Sequence, residues 1–213
     1  MNATAAVKRR TVPVASALAT TAALLLTACA GGDDSSEGNS KPPSASASPV
    51  HTAPNFDFPS DITVTVDRQS TGNATRDAIL RDVAYSTQAN IEAFTSDNGR
   101  TANLDRYFAG QALTYWSQRV ATLKKDGLTL TGDYLYYDFK VTDVTNGKTA
   151  AARYCEDQGK AYGKEIKTGK VLHTKPSDND FILYTLQAAK DSRGDWQVTQ
   201  QHWKRADASC VRG

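Results

Sequence analysis

The sequence predicts an α+β domain in which three helices precede an antiparallel sheet. Apolar residues recur at steps of three and four between residues 73 and 127, then alternate from Leu128 to Arg205, and Gly127 marks the change of period. Within the alternating half, Asn146-Gly147 offers two residues that accept positive φ, the strongest hairpin signal in the chain.

Each element has its own signature. Ile62, Val64 and Val66 alternate with Thr63 and Thr65, a short strand. From Asn73 or Ala74 the positions Ile79, Leu80, Val83, Ile91 and Phe94 define a long amphipathic helix ended by Asn98-Gly99. Leu104, Tyr107 and Phe108 predict a short second helix stopped at Gly110. Leu113, Trp116, Val120 and Leu123 predict a third, from about Gln111, with Gly127 as its carboxyl-terminal stop. Strands follow at Leu128 to Thr131, Tyr134 to Asp143 and Thr149 to Asp157, with Gly132-Asp133 as a bulge or kink. Thr168-Gly169-Lys170 reads as a turn. Phe181 to Asp191 pairs through Ser192-Arg193-Gly194-Asp195 with Trp196 to Arg205.

The amino terminus carries an address. Residues 1 to 28 have a basic start and a run rich in Ala, Val and Leu, interrupted by Pro13 and by polar residues, which reads as an export signal and not as a spanning helix. Leu26-Thr27-Ala28-Cys29 resembles the bacterial lipobox, which implies diacylglycerol on Cys29 and cleavage before it. Two acyl chains give the anchoring that one cannot. Cleavage after Ala28 without lipid, releasing a soluble chain, is the alternative. Residues 30 to 54 contain 18 Ala, Gly, Ser, Thr or Pro in 25 positions, so they bury too little apolar surface to order themselves. The expected organisation is a signal over 1–28, a lipidated cysteine and disordered tether over 29–55, and a folded head over 56–213. On this reading His51 lies in the tether, with no scaffold to orient it.

Composition excludes several classes of function. Charged residues make up 23% of the chain and the formal net charge is +2. Without Lys8, Arg9 and Arg10 in the signal, 22 basic residues face 23 acidic ones, and nothing calls for a nucleic-acid partner. There is no Gly-rich phosphate loop, HExxH, CxxC or G-x-S-x-G, and no cofactor is expected. Asp178-Asn179-Asp180 opens like a calcium loop but lacks the later Gly and Glu, so a solvated turn is expected and no metal.

Of three cysteines, lipidation of Cys29 leaves Cys155 and Cys210, which have one way to pair outside the cytoplasm. A redox-active thiol pair is the alternative, although the CxxC spacing that lowers a thiol pKa is missing.

Three helices followed by a strongly bent antiparallel sheet resemble the nuclear transport factor 2-like superfamily, a cone in which the sheet wraps the long helix. Gly194-Asp195-Trp196-Gln197-Val198 resembles its last hairpin, with Trp196 and Val198 pointing inward. Tyr154-Cys155-Glu156-Asp157 with the late Cys210 resembles actinobacterial secreted lipoproteins built on this cone and closed by a disulfide. The resemblance spans about residues 60 to 212. It implies a pocket at the mouth of the cone but no particular reaction, because the superfamily holds ketosteroid isomerase, scytalone dehydratase and limonene epoxide hydrolase beside non-enzymatic binding modules. It also allows a homodimer.

The resulting expectation is a non-enzymatic lipoprotein on the outer face of the cytoplasmic membrane, binding a small hydrophobic ligand or an envelope protein. The alternative is an isomerase, dehydratase or hydrolase with Asp138 or His202 as base and Tyr136 as donor. A buried carboxylate or imidazole bonded to a tyrosine in the cavity favours that enzyme; an apolar, filled or shallow cavity favours binding. Ordinary half-buried sheet positions are the competing reading for His202 and Tyr136, and a loop position for His173. Lys160, Lys164, Lys167 and Lys170, with Lys175, form a candidate patch for an anionic surface or a solvated hairpin that discourages edge pairing.

Overall fold

The computed structural model describes residues 51–212; the signal segment, Cys29 and the tether up to residue 50 lie outside the described residues. The elements run β1 (Ile62–Val66), α1 (Ala74–Thr95), α2 (Ala102–Tyr107), α3 (Gly110–Lys125), β2 (Leu128–Thr145), β3 (Thr149–Glu165), β4 (Val171–Leu172), β5 (Phe181–Lys190) and β6 (Trp196–Arg205), with a 3₁₀ turn at Asp178–Asp180 before β5.

Local chemistry accounts for the helix starts. Asn73 caps α1 by accepting from the Arg76 amide, and Thr101 caps α2 by accepting from the Leu104 amide. Gly110, expected as a stop, instead begins α3, its φ of 55° turning the chain between α2 and α3.

The sheet has the order β1-β2-β3-β5-β6, with β4 added to the end of β3. Its main hairpin turns at Asn146 and Gly147, both with positive φ, as expected. β3 runs eight residues beyond the expected Asp157, pairing with all of β2 down to Leu128. β1 pairs with β2 in parallel, not antiparallel. Three helices separate the two strands, and a crossover of that length permits parallel pairing.

Bulges bend the sheet. Pairing shifts at Tyr134, where Gln158 and Gly159 oppose a single residue, at Asp138-Phe139 opposite Tyr154, and at Thr199 of β6. α1 packs against both β2 and β6, so the curled sheet encloses one face of the helix. Ile79, Leu80 and Val83 of α1, Val120 of α3, and Trp196 and Val198 of β6 lie in the core.

The outer face of β2 and β3 carries the second cluster, Tyr137, Cys155 and Cys210. Cys155 and Cys210 are disulfide-bonded, with Cα atoms 5.5 Å apart. The Tyr137 hydroxyl donates to the Cys210 carbonyl, and Arg212 lies over the Tyr137 ring. The carboxyl terminus is thereby stapled to a central strand.

The folded head begins upstream of the expected boundary at residue 56. Asn103 on α2 donates to the Asn55 carbonyl at 2.8 Å, Arg106 to the Thr52 carbonyl at 3.1 Å, and the buried Glu92 accepts from the Asp57 amide at 3.0 Å. Residues 51–58 form a strap along α1 and α2. The compositional reading missed it because these contacts join positions about 35 to 55 residues apart.

Candidate functional site

A cavity of about 220 Å³ lies between α1, α3 and the concave face of the sheet. Its helix wall carries Asn90, Phe94, Tyr115, Trp116 and Arg119; its sheet wall carries Tyr134, Tyr136, Tyr154, Glu156 and Tyr184, with Trp203 and Arg205 from β6. The aromatic rings pack on one another. Tyr154 and Tyr184 stack with centroids 4.9 Å apart, and Trp116 meets Phe94 edge-on at 6.0 Å.

Glu156 is the central polar group. It is 5% exposed, faces Tyr136 across the β2–β3 ladder, and accepts a 3.1 Å hydrogen bond from the Tyr136 hydroxyl. Burial pushes its carboxyl above the ordinary carboxylate range, and the phenols of Tyr184 and Tyr136 with the charge of Arg205 offset part of that rise. Burial likewise drives the Tyr136, Tyr154 and Tyr184 phenols well above their usual range, so they remain neutral donors at any physiological pH.

Other polar groups complete the lining. The Trp116 indole donates to Gln201 at 2.9 Å and Gln201 donates to the Tyr154 hydroxyl at 2.9 Å, a relay that ties α3 to the sheet. Asn90 is 8% exposed, lines the cavity, and makes no side-chain hydrogen bond among the described residues.

Of the sequence candidates, only Tyr136 faces this cavity. Asp138 does not. The bulge at Asp138, with φ 52°, resets the alternation so that Phe139 and Val141 point inward, and Asp138 pairs outside with Lys140 at 2.8 Å and Arg153 at 3.1 Å. His202 is displaced in the same way. The extra residue Thr199 brings Gln201, Trp203 and Arg205 to the inward face of β6 and leaves His202 exposed. His173 is exposed in its loop and meets Tyr162 edge-on at 4.5 Å. Glu156 was within reach of the sequence, since Ala150, Ala152, Tyr154 and Glu156 alternate on the inward face of β3.

The lysine run is divided. Lys164 is ion-paired with Asp61, while Lys160, Lys167 and Lys170 are exposed, the last two beside the exposed Ile166 at the β3–β4 turn. Asp178–Asp180 is a 3₁₀ turn in which Ser177 and Asp180 cap one another reciprocally.

His51 stands apart from the cavity but is not adrift. Its Nε2 lies 3.0 Å from Asp82 Oδ1 and 3.0 Å from Asp195 Oδ1. These three residues have the donor types of a metal site. The charges around them argue otherwise: Arg81 bonds Asp82 at 2.9 Å and Arg106 bonds Asp195 at 2.7 Å, so a dication would share its oxygens with two guanidiniums. Burial raises the Asp195 carboxyl, yet Arg106, His51 and Arg193 outweigh it and hold the group below its ordinary value. The cluster is an ion-pair clamp on the strap.

No family model matches the sequence, and neither does any curated protein. Several solved structures show similarity, among them the three that follow. The intermembrane space region of the chloroplast protein ARC6 is 17% identical, covering 58% of this chain and 92% of that one, at TM-score 0.41. A ketosteroid isomerase-like protein from Erwinia carotovora atroseptica is 15% identical, covering 62% and 97%, at TM-score 0.42. A ketosteroid isomerase homologue named from Shewanella frigidimarina is 18% identical, covering 62% and 98%, at TM-score 0.32. Overlaps of this size identify no family. Among the described residues no helix is long and apolar enough to cross a membrane.

Proposed function

We propose that this chain is a membrane-anchored binding protein: a lipid on Cys29 holds a head of the nuclear transport factor 2-like kind, whose cavity captures a small, largely apolar molecule. One observation carries the binding claim. The cavity is walled mostly by aromatic rings and holds a few polar side chains, Asn90 and Glu156 among them, with the Asn90 amide open to the cavity and bonded to nothing on the protein among the described residues. An aromatic-lined hollow with a small number of polar groups is the ordinary form of a small-molecule site.

A second reading is acid–base chemistry on the captured molecule, with Glu156 in place of the expected Asp138 or His202. A buried carboxyl bonded to a tyrosine favours it. Binding remains the better supported. Tyr136 and Glu156 are neighbours on one wall, and the phenol proton is committed to the carboxyl, whereas base and donor for a proton transfer belong on opposite sides of a substrate.

A thermal-shift screen of small aromatic compounds tests the binding claim. A binder at 100 times its Kd raises stability by about 2.7 kcal/mol, or roughly 5 to 10 °C for a head of this size. The shift is expected in the wild-type chain and lost in Ile91→Trp, which fills the cavity; equal shifts in both refute the assignment. Glu156→Gln then separates the two readings, since turnover of a bound compound that vanishes while binding persists supports catalysis. For the anchor, the chain is expected to enter the detergent phase on Triton X-114 partition and Cys29→Ser the aqueous phase. Identical partition removes the anchor.

A further inference from the structure

The cavity is electrically asymmetric. Three of its lining residues are charged: Glu156, buried in the sheet wall, and Arg119 and Arg205, both exposed. Arg119 makes no ion pair or hydrogen bond among the described residues. Arg205 is held in place, donating to the Asn179 carbonyl at 2.8 Å and lying 5.9 Å from the centre of the Trp203 ring. With the Gln158 amide turned to satisfy both groups, its oxygen accepts from Arg205 at 2.8 and 3.2 Å. Trp203 and Tyr115, 49% and 37% exposed, are bonded to each other at 3.2 Å and belong to the same lining.

Arg205 also lends part of its field to Glu156, but its direct hydrogen-bond partners are neutral, so donors remain for an anion, and a fixed guanidinium loses little entropy on meeting one. The two arginines bring two positive charges to the open side of the cavity, with no carboxylate among the lining residues except the deep Glu156. The aromatic rings between these ends suit a flat apolar body.

Taking the binding reading as given, we infer that the ligand is an aromatic organic anion. Its acidic group lies outward against Arg119 and Arg205, its ring body lies between Trp116 and the Tyr154–Tyr184 stack, and its far end reaches Asn90 and Glu156.

An isosteric probe pair tests this by isothermal titration of the full chain: naphthalene-2-carboxylate, and naphthalene-2-carboxamide, which lacks the charge. The carboxylate is expected to bind at least tenfold more tightly at low salt, with the gap narrowing as salt rises. Arg119→Gln, at an exposed position with no partner to lose, is expected to weaken the carboxylate more than the carboxamide and so to narrow the gap. Arg205→Gln should do the same, provided its melting temperature shows an intact fold. Equal affinities in the wild type, or a gap unmoved by Arg119→Gln, overturn the anion assignment and leave the cavity reading standing. If neither probe binds, the cavity reading fails first, and this inference with it.

Discussion

The Tyr136 hydroxyl donates to the Glu156 carboxyl across the β2–β3 ladder at 3.1 Å, with both side chains buried. Strand pairing makes this contact, because the two residues are register partners. It gives the cavity a carboxyl that burial pushes toward its neutral form.

That shift fixes the sign of a pH effect. A carboxyl with a raised folded-state pKa stabilises the fold fully below its unfolded pKa, and this contribution is lost as pH rises through the folded value. Glu156→Gln abolishes the titration. The melting temperature of Glu156→Gln relative to wild type is therefore expected to climb between pH 4 and pH 8, and a difference independent of pH would contradict the burial assigned to Glu156.

The disulfide closes a separation of 55 residues. In the chain-entropy treatment such a loop contributes about 4 kcal/mol, or roughly 8 to 16 °C in melting temperature for a chain of this size. A Cys155→Ala/Cys210→Ala double variant melted without reductant checks this. Little change would mean that Tyr137 and its neighbours hold the carboxyl terminus unaided.

Gly132 has φ 98°, and a Cβ there would stand 2.1 Å from the Lys160 carbonyl oxygen. Strained backbone and overlap together predict a loss of roughly 3 to 5 kcal/mol for Gly132→Ala. Gly147→Ala, with nothing within 4 Å of its Cβ, pays only for its φ of 62°, about 1 kcal/mol. Chemical denaturation of both variants compares them directly, and equal losses would argue against the close approach of β2 and β3.

His51 bridges Asp82 and Asp195. Single polar contacts of this sort contribute about 0.5 to 1.5 kcal/mol, and the ring is partly exposed. His51→Ala is expected to cost about 1 kcal/mol and to speed amide hydrogen exchange in residues 52–57 while leaving β3 and β5 unchanged. Unaltered exchange in the strap would show that Asn103 and Glu92 suffice to hold it.

Most of the fold is legible in the sequence because it rests on local signals: the periodic apolar faces of α1 and α3 and the Asn146-Gly147 turn. The cavity lining is less so. Alternation is readable only between bulges, and one extra residue at Asp138 or at Thr199 exchanges the two faces as far as the next irregularity, which on β2 comes at Thr142. Tyr136 lies before the irregularity and keeps the inward face, while Asp138 and His202 lie at or beyond an extra residue and face outward. Glu156 lies on a stretch of β3 with no extra residue of its own between Ala150 and Asp157, where period alone places it. The strap through His51 has no local signature, since Ala, Thr and Pro around it read as tether and its partners are remote in sequence.

The central claim is that the space between α1, α3 and the sheet holds a small molecule. Native mass spectrometry of the full chain, gently purified from its native cells, tests this most directly. One small-molecule adduct per head is expected on the wild type and none on a folded Ile91→Trp variant. A wild-type chain without adduct, or an adduct that Ile91→Trp retains, would contradict it.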